Sequence, residues 1–150
     1  MAITIRPLLP ADLPRLSPLF GAYLDFYGVP RALERETIFL AQRLEADDST
    51  CLGALAGEEL AGFALCHHTY NSLRLAPAWI LHDLFVSPDH RRQGTAEALI
   101  EAVHASAKAA GACEVALSTA HDNKTAQALY AKHGYAMDTK FRVYLRDLQA

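Results

Sequence analysis

The fold is decided by residues 79–103, which read WILHDLFVSPDHRRQGTAEALIEAV. Trp79 to Val86 is a nearly continuous apolar run, which is typical of a strand that is buried on both faces of a sheet. A turn with two arginines and one glycine follows, and residues 93–110 then place apolar side chains at helical spacing. The stretch therefore predicts a central strand that leads through a tight turn into a long amphipathic helix.

Two polar residues, His82 and Asp83, interrupt the apolar strand at its middle. Burying a polar group without a partner costs about 1–3 kcal/mol, so both side chains need hydrogen bonds or solvent. Two explanations remain open at this point. The neighbouring backbone can satisfy both groups, or the strand opens to a site where His82 serves as a general base near neutral pH.

The turn after this strand is a candidate anion site. A helix N-terminus presents unpaired N–H groups and the positive end of the helix dipole, both of which suit a phosphate. Gly94 lets the backbone approach a ligand closely. No Gly-Lys-Ser/Thr sequence follows, and two of the three glycines of a dinucleotide fingerprint are missing. The turn is therefore a candidate phosphate site that matches neither a Walker-type phosphate loop nor a dinucleotide fingerprint.

The rest of the chain alternates between strand and helix patterns. Strands are predicted at 3–6, 50–56, 59–70, 79–86, 113–118, 135–137 and 141–145, and helices at about 10–28, 32–46, 93–110 and 123–132. In the second helix Ile38, Leu40, Ala41 and Leu44 are predicted to face inward. The order βααβββαβαββ predicts one α+β domain over residues 1–150, with about seven strands in a mixed, mostly antiparallel sheet flanked by four helices.

Composition excludes several classes of protein. Hydrophobic residues make up 51% and charged residues 21% of the 150-residue chain, as in ordinary globular proteins. The net charge is −3 and Arg91-Arg92 is the only adjacent basic pair, so we expect no nucleic-acid partner. No apolar run approaches the roughly 18 residues of a membrane span. The three cysteines, an odd number without close spacing, suggest reduced thiols and no disulfide framework. A cytoplasmic protein without a membrane partner is expected.

No metal site is expected from the sequence. His67 and His68 are neighbours on a predicted strand, so their side chains point to opposite faces and cannot share one ion. No spacing of cysteine and histidine matches a zinc site, and the cysteines are predicted to be inert core thiols.

Two motifs occur together in the chain. The first is Arg91-x-x-Gly94-x-Ala96 after LHDLFVSPDH, and the second is Asn123-x-x-Ala126-x-x-Leu129-Tyr130-x-x-His133-Gly134-Tyr135. Together they resemble the GNAT superfamily of N-acetyltransferases. The element order extends the resemblance to the whole chain. LHDLFVSPDHRRQG is most similar to the diamine (spermidine/spermine) acetyltransferase branch and related small-amine acetyltransferases.

The resemblance implies acetyl-CoA as co-substrate. The pantetheine arm would pair with the backbone of Leu84, Phe85 and Val86, where an N–H would also hold the thioester carbonyl. The pyrophosphate would lie on the turn and the first helical residues. The cofactor contacts implied in addition are Arg91, Arg92, Gln93, Gly94, Thr95, Ala96, Glu97, Asn123 and Ala126. For Asn123, a role as helix N-cap is an equal alternative.

The same resemblance implies roles in catalysis. Tyr130 matches the general acid that protonates the departing CoA thiolate, although a tyrosine in an apolar stripe is also an ordinary core residue. His82 stands where the diamine branch usually has glutamate, and it would draw a proton from the attacking amine through a water. Asp83 would orient the amine. Tyr23, Asp25 and Tyr27 are candidates to line the acceptor site, or simply polar positions of an exposed helix.

The activity expected is therefore acetyl-CoA-dependent N-acetylation of a small primary amine, of diamine, polyamine or amino-acid-like chemistry. Transfer would be direct, in a ternary complex whose rate comes largely from proximity. Acetylation of a protein or peptide is one alternative, and a non-catalytic acyl-CoA-binding regulatory module is another. A homodimer is an expectation from the family.

Overall fold

The computed structural model describes residues 2–149 in two compact units, which divide between Ser118 and Thr119. The first unit contains strands β1 (Ile3–Pro7), β2 (Ser49–Ala56), β3 (Glu59–Asn71), β4 (Ala76–Val86) and β5 (Val115–Ala116), with helices α1 (Leu13–Phe26), α2 (Leu33–Glu45) and α3 (Thr95–Ala109). The second unit contains helix α4 (Lys124–Lys132). Across the described residues, no helix is long and apolar enough to cross a membrane.

The five strands form one mixed sheet in the order β1-β2-β3-β4-β5. The first four pair antiparallel, and β5 pairs parallel with β4. β2 and β3 are joined by a tight turn at Gly57, whose φ of 64° suits glycine. The mixed α+β class predicted from the sequence is confirmed.

Helices cover both faces of this sheet. α1 and α2 pack on one face, which we call the α1 face, around a core that includes Leu16, Leu40 and Phe63. α3 packs on the other, the α3 face, where Leu99 and Val103 are fully buried. The amphipathic pattern of α3 was therefore predicted correctly, because its apolar stripe is the one that meets the sheet.

β4 contains a β-bulge at His82. Asp83 pairs with Leu65 and Leu81 with Cys66, which leaves His82 without a partner on β3. One extra residue shifts the alternation of side chains, so Leu81 and Leu84 both pack on the α3 face although they are three residues apart. The prediction that β4 is buried on both faces is wrong at Ile80, which is exposed, whereas the exposure of His82 fits the alternative that the strand opens to a site there.

The number of strands and the strand order predicted for the C-terminal third are wrong. The described residues contain five strands instead of seven, β5 spans two residues instead of 113–118, and neither 135–137 nor 141–145 is a strand. The turn between those two segments does form, since Asp138 accepts hydrogen bonds from the amides of Lys140 and Phe141 at 2.8 and 3.2 Å. The turn forms because its hydrogen bonds are local. The flanking strands do not, because an isolated two-stranded hairpin has only marginal stability in water.

The inward face predicted for α2 is also wrong at one position. Ile38 is 52% exposed, whereas Glu36 is 7% exposed. The Glu36 carboxylate is held by the Arg31 guanidinium at 2.8 Å and accepts the Ala32 amide at 2.7 Å. An acidic residue can be buried at this helix start because it is paired and also satisfies a backbone donor.

Asp12 fastens β1 to the start of α1. Its carboxylate accepts two hydrogen bonds from Arg6, at 2.8 and 2.9 Å, and one from the Leu9 amide at 2.8 Å. Arg15 approaches to 3.3 Å. The hydrogen bonds from Arg6 are the main reason that the pKa of Asp12 lies well below its usual range.

We expect Asp12→Asn to lower the free energy of unfolding by about 1–3 kcal/mol at pH 7, because it removes a paired carboxylate. The folded-state pKa is lowered, so the contribution is complete above pH ~4 and is lost as pH falls toward the folded-state value. Urea denaturation at pH 7 and pH 3 should therefore show a difference from wild type that shrinks at the lower pH.

Glu58→Gln is the matched control for this variant. Glu58 is a fully exposed acid 3.6 Å from Arg15, and an exposed ion pair contributes little. Its removal should leave unfolding unchanged at both pH values. A wild-type to Asp12→Asn difference that stays constant from pH 7 to pH 3 would contradict the electrostatic explanation.

Candidate active site

Asp83 and Tyr23 form the centre of the site. The Tyr23 hydroxyl, on α1, donates to Asp83 Oδ1 on β4 at 2.5 Å, and Asp83 is 9% exposed. The Tyr23 ring lies 5.1–5.8 Å, centroid to centroid, from four other aromatic rings, those of Phe20, Tyr27, Phe63 and Phe85. The partner of the Asp83 carboxylate is therefore a side-chain hydroxyl and not the neighbouring backbone, and the packing of the Tyr23 ring holds that hydroxyl in place.

His82 lies beside this pair at the bulge. Its Nδ1 is 3.4 Å from Asp83 Oδ1, and its side chain is 64% exposed. The His67 ring, from the neighbouring strand β3, is 5.3 Å from the His82 ring. The pKa of His67 is lowered, chiefly by burial and further by the adjacent His82 imidazole. Two imidazoles and one carboxylate therefore meet on the α1 face.

Two of the predicted acceptor residues differ in their surroundings. The Tyr27 ring packs 5.1 Å from the Tyr23 ring, so it belongs to the aromatic cluster beside Asp83. Asp25 instead lies 3.4 Å from the Arg31 guanidinium, which also binds Glu36. Asp25 thus shares the single positive charge of Arg31 with Glu36.

The second half of β4 has a neighbouring strand on one side only. In the described part of the chain, β5 pairs with Trp79 and Ile80 and ends there. From Leu81 to Val86, β4 pairs with β3 alone. The backbone of Leu84, Phe85 and Val86 therefore has an edge that an extended ligand can pair with, as a further strand would.

The turn before α3 is built to leave the helix N-terminus open. Gly94 is the N-cap with φ of 78°, no side chain caps the helix, and a Cβ placed at Gly94 would have no neighbour within 4 Å. Arg92 also has positive φ, 62°. The N-cap residue therefore offers no side-chain acceptor to the first amides of α3, which fits an anionic group of the ligand.

Arg91 has a structural anchor in this turn. Its Nε donates to the Val86 carbonyl at 3.0 Å, and its guanidinium lies 5.5 Å from the centre of the Phe85 ring. These contacts fix the turn to the end of β4 and place a positive charge beside it. Arg92 is exposed.

The second unit carries the second motif. Asn123 caps α4, because its Oδ1 accepts the Ala126 amide at 3.1 Å, so the N-cap alternative is confirmed. The Tyr130 ring packs 5.9 Å from the Tyr135 ring, near the other end of the same helix.

His67 is the site residue that sequence reasoning missed. The sequence pattern groups it with its neighbour His68, whose ring instead stacks on Trp79 at 4.6 Å and whose Nε2 lies 2.8 Å from Thr50 Oγ1. The available signal was a histidine in an apolar strand that pairs directly with the strand of His82. The bulge that brings the rings together has no marker in the sequence.

Comparison with known proteins identifies the family. Residues 16–135 match the model of the Acetyltransferase (GNAT) family. The chain belongs to this family. It is 34% identical over 148 residues to the uncharacterised N-acetyltransferase YhfO of Bacillus subtilis strain 168, covering 99% of both chains. A crystal structure of a probable acetyltransferase matches with a TM-score of 0.89 at 32% identity, again over 99% of both chains.

A shorter similarity involves an aminoglycoside acetyltransferase. Aminoglycoside N(6')-acetyltransferase type 1 of Acinetobacter genomosp. 13 is 34% identical over 76 residues, 51% of each chain. The family and these homologues identify the chain as an acetyltransferase, and the family implies acetyl-CoA as its co-substrate. These relatives do not single out the diamine branch, which stays a prediction.

We expect Gly94→Val to weaken the binding of CoA by about tenfold or more, because a β-branched residue is strongly disfavoured at positive φ and would distort the turn. Isothermal titration with CoA measures the change. Gly111→Val is the matched control, since Gly111 ends α3 with φ of 82° and equally open surroundings. Gly111→Val should lower the free energy of unfolding by about as much as Gly94→Val does, and it should leave the affinity for CoA unchanged. Equal losses of affinity in both variants would contradict a binding role for the Gly94 turn.

Proposed function

We propose that this GNAT protein transfers the acetyl group of acetyl-CoA to a primary amine of a small molecule, directly and within a ternary complex. One observation carries the proposal. The nearly buried carboxylate of Asp83, held by Tyr23, lies beside the exposed imidazole of His82. Both directly precede the strand edge at Leu84 to Val86, on which the acetyl-CoA arm is expected to lie.

The acceptor side suits an ammonium group. The Asp83 carboxylate attracts and orients the cation, and His82 takes a proton from it through a water so that the neutral amine can attack. Tyr23 and Tyr27 add aromatic walls that suit a cationic group. Among the predicted acceptor residues, only Asp83 supplies a carboxylate that is not paired with arginine. This single charge favours a small amine over an extended polycation.

The cofactor side follows from the open edge and the open helix end. The backbone of Leu84, Phe85 and Val86 would hold the pantetheine arm, and the amides from Arg92 to Glu97 would hold the pyrophosphate, with Arg91 adding charge. When bound, acetyl-CoA supplies the activated thioester. Asn123 and Ala126, which are already hydrogen-bonded to each other, would contribute through the start of α4.

Direct transfer is favoured over acylation of Cys51 or Cys66. Burial raises the pKa of the Cys51 and Cys66 thiols to about 12, so neither is a ready nucleophile at neutral pH. The three cysteines are free, which fits the cytoplasm as location.

Tyr130 is the candidate acid for the departing thiolate, because a phenol is protonated at neutral pH and can donate. A homodimer remains part of the proposal as a family expectation.

Acetylation of a protein or peptide and non-catalytic binding of acyl-CoA are the competing functions. We expect a panel of primary monoamines, diamines, polyamines, aminoglycosides and peptides, assayed by CoA release, to show turnover with small amines and none with peptides. Mass spectrometry should find one acetyl group on nitrogen. Turnover with peptides alone would replace the proposed acceptor, and CoA binding without any turnover would favour the regulatory module.

With the best amine of that panel, we expect His82→Ala to lower kcat by roughly 10²–10⁴-fold, the usual contribution of a general base. His82→Glu should restore part of the rate and move the acid limb of the pH–rate profile to lower pH, because carboxyl groups lose their proton at lower pH than imidazoles.

Tyr130→Phe should lower kcat while leaving the affinity for acetyl-CoA intact.

Tyr135→Phe is the control for the tyrosine change, since it removes a hydroxyl from the ring that packs on Tyr130. Its kcat should match wild type. An unchanged pH profile in His82→Glu would place the base elsewhere, and an unchanged kcat in Tyr130→Phe would remove its assigned role as acid.

A further inference from the structure

Three side chains of the site have the composition of a transition-metal site. His67, His82 and Asp83 can each offer one ligand atom such that all three atoms lie within 4.8 Å of one another. In a tetrahedral Zn²⁺ site with bonds of about 2.0–2.1 Å, neighbouring ligand atoms are about 3.3–3.4 Å apart. His82 Nδ1 and Asp83 Oδ1 are already at 3.4 Å. The ligand atoms are at most 4.8 Å apart, so each separation needs to close by no more than about 1.5 Å.

The bulge explains how three ligands come to one face. His67 and Leu65 are two residues apart on β3, so they share a face, and Leu65 pairs with Asp83. In a regular strand His82 would point away from Asp83. The extra residue releases His82 from the ladder, and its ring then contacts that of His67. His67 and His68 do diverge, as the sequence predicts, so the cluster forms between β3 and β4 and not within β3.

The supports of the three ligands differ in a way that suits an ion. Asp83 is nearly buried and its carboxylate is oriented by the Tyr23 hydroxyl, as ligating carboxylates commonly are by an outer hydrogen bond. His67 is half-buried on a central strand, and His82 is exposed. Three protein ligands leave the fourth position of a tetrahedral ion open, on the side of the exposed His82.

We propose that His67, His82 and Asp83 bind one divalent transition-metal ion, with Zn²⁺ as the representative case, in competition with the acceptor amine. Two imidazoles and one carboxylate form a donor set that Zn²⁺, Ni²⁺ and Cu²⁺ accept, whereas Mg²⁺ and Ca²⁺ prefer oxygen ligands. An ion held there occupies the carboxylate and the imidazole that the amine requires. Metal binding itself does not depend on the proposed function, but competition with the amine rests on it.

The test is a Zn²⁺ titration of the chelator-treated protein against a chromophoric metal indicator. One ion per chain should bind with an affinity that falls by more than about tenfold in each of His67→Ala, His82→Ala and Asp83→Asn. Excess Mg²⁺ or Ca²⁺ should not displace it. His68→Ala is the matched control, because it removes a neighbouring histidine of β3 that stacks on Trp79. Its Zn²⁺ affinity should equal that of wild type.

Circular dichroism and a thermal melt of each variant confirm that the fold is intact before the titrations are compared. No stoichiometric binding by wild type, or equal affinity in wild type and in both His67→Ala and His82→Ala, overturns the proposal. In steady-state assays Zn²⁺ should raise KM for the amine without raising KM for acetyl-CoA. If no amine is turned over while Zn²⁺ still binds at these residues, the proposed function fails and the metal site stands.

Discussion

The extra residue in β4 is the constraint on which the site depends. A regular strand would present His82 and Asp83 to opposite faces, one toward α1 and one toward α3. The bulge lets both serve the α1 face while Leu81 and Leu84 keep the α3 face apolar. It therefore reconciles two demands that conflict in an unbroken strand, a continuous core beneath α3 and a polar site beneath α1.

The aromatic cluster around Tyr23 gives this polar site a rigid wall. A carboxylate with few contacts would change its position easily. Asp83 is instead hydrogen-bonded to the hydroxyl of Tyr23, whose ring is packed on Phe63 and Phe85. Glu36, on α2, is instead paired with the Arg31 guanidinium. The guanidinium fits because Gly21 has no side chain, since a Cβ there would collide with an Arg31 terminal nitrogen. The Glu36 carboxylate therefore has a cationic partner, whereas the Asp83 carboxylate has a neutral hydroxyl as its partner.

Much of the fold could be predicted from local patterns. The turn with Gly94 and the stripe of α3 have periodic or residue-specific signals, and both were placed correctly. The Asn123 cap was also predictable, because capping chemistry is local. The short β5 and the absence of strands at 135–137 and 141–145 were not, because strand formation depends on a partner far along the chain. His67 was missed for a related reason, since a bulge depends on the pairing of two strands.

The way β1 joins the sheet has a consequence for the order of assembly. β2, β3 and β4 are connected by short turns and pair with their immediate successors, whereas β1 pairs with β2 across both α1 and α2. Closing that longer loop costs more chain entropy before its contacts form. We therefore expect the β2–β4 meander to organise first and the N-terminal strand to dock late, locked by the Asp12 contacts with Arg6. The helix that carries Tyr23 would be fixed in place only at that late step, so the acceptor wall would be among the last features of the first unit to mature.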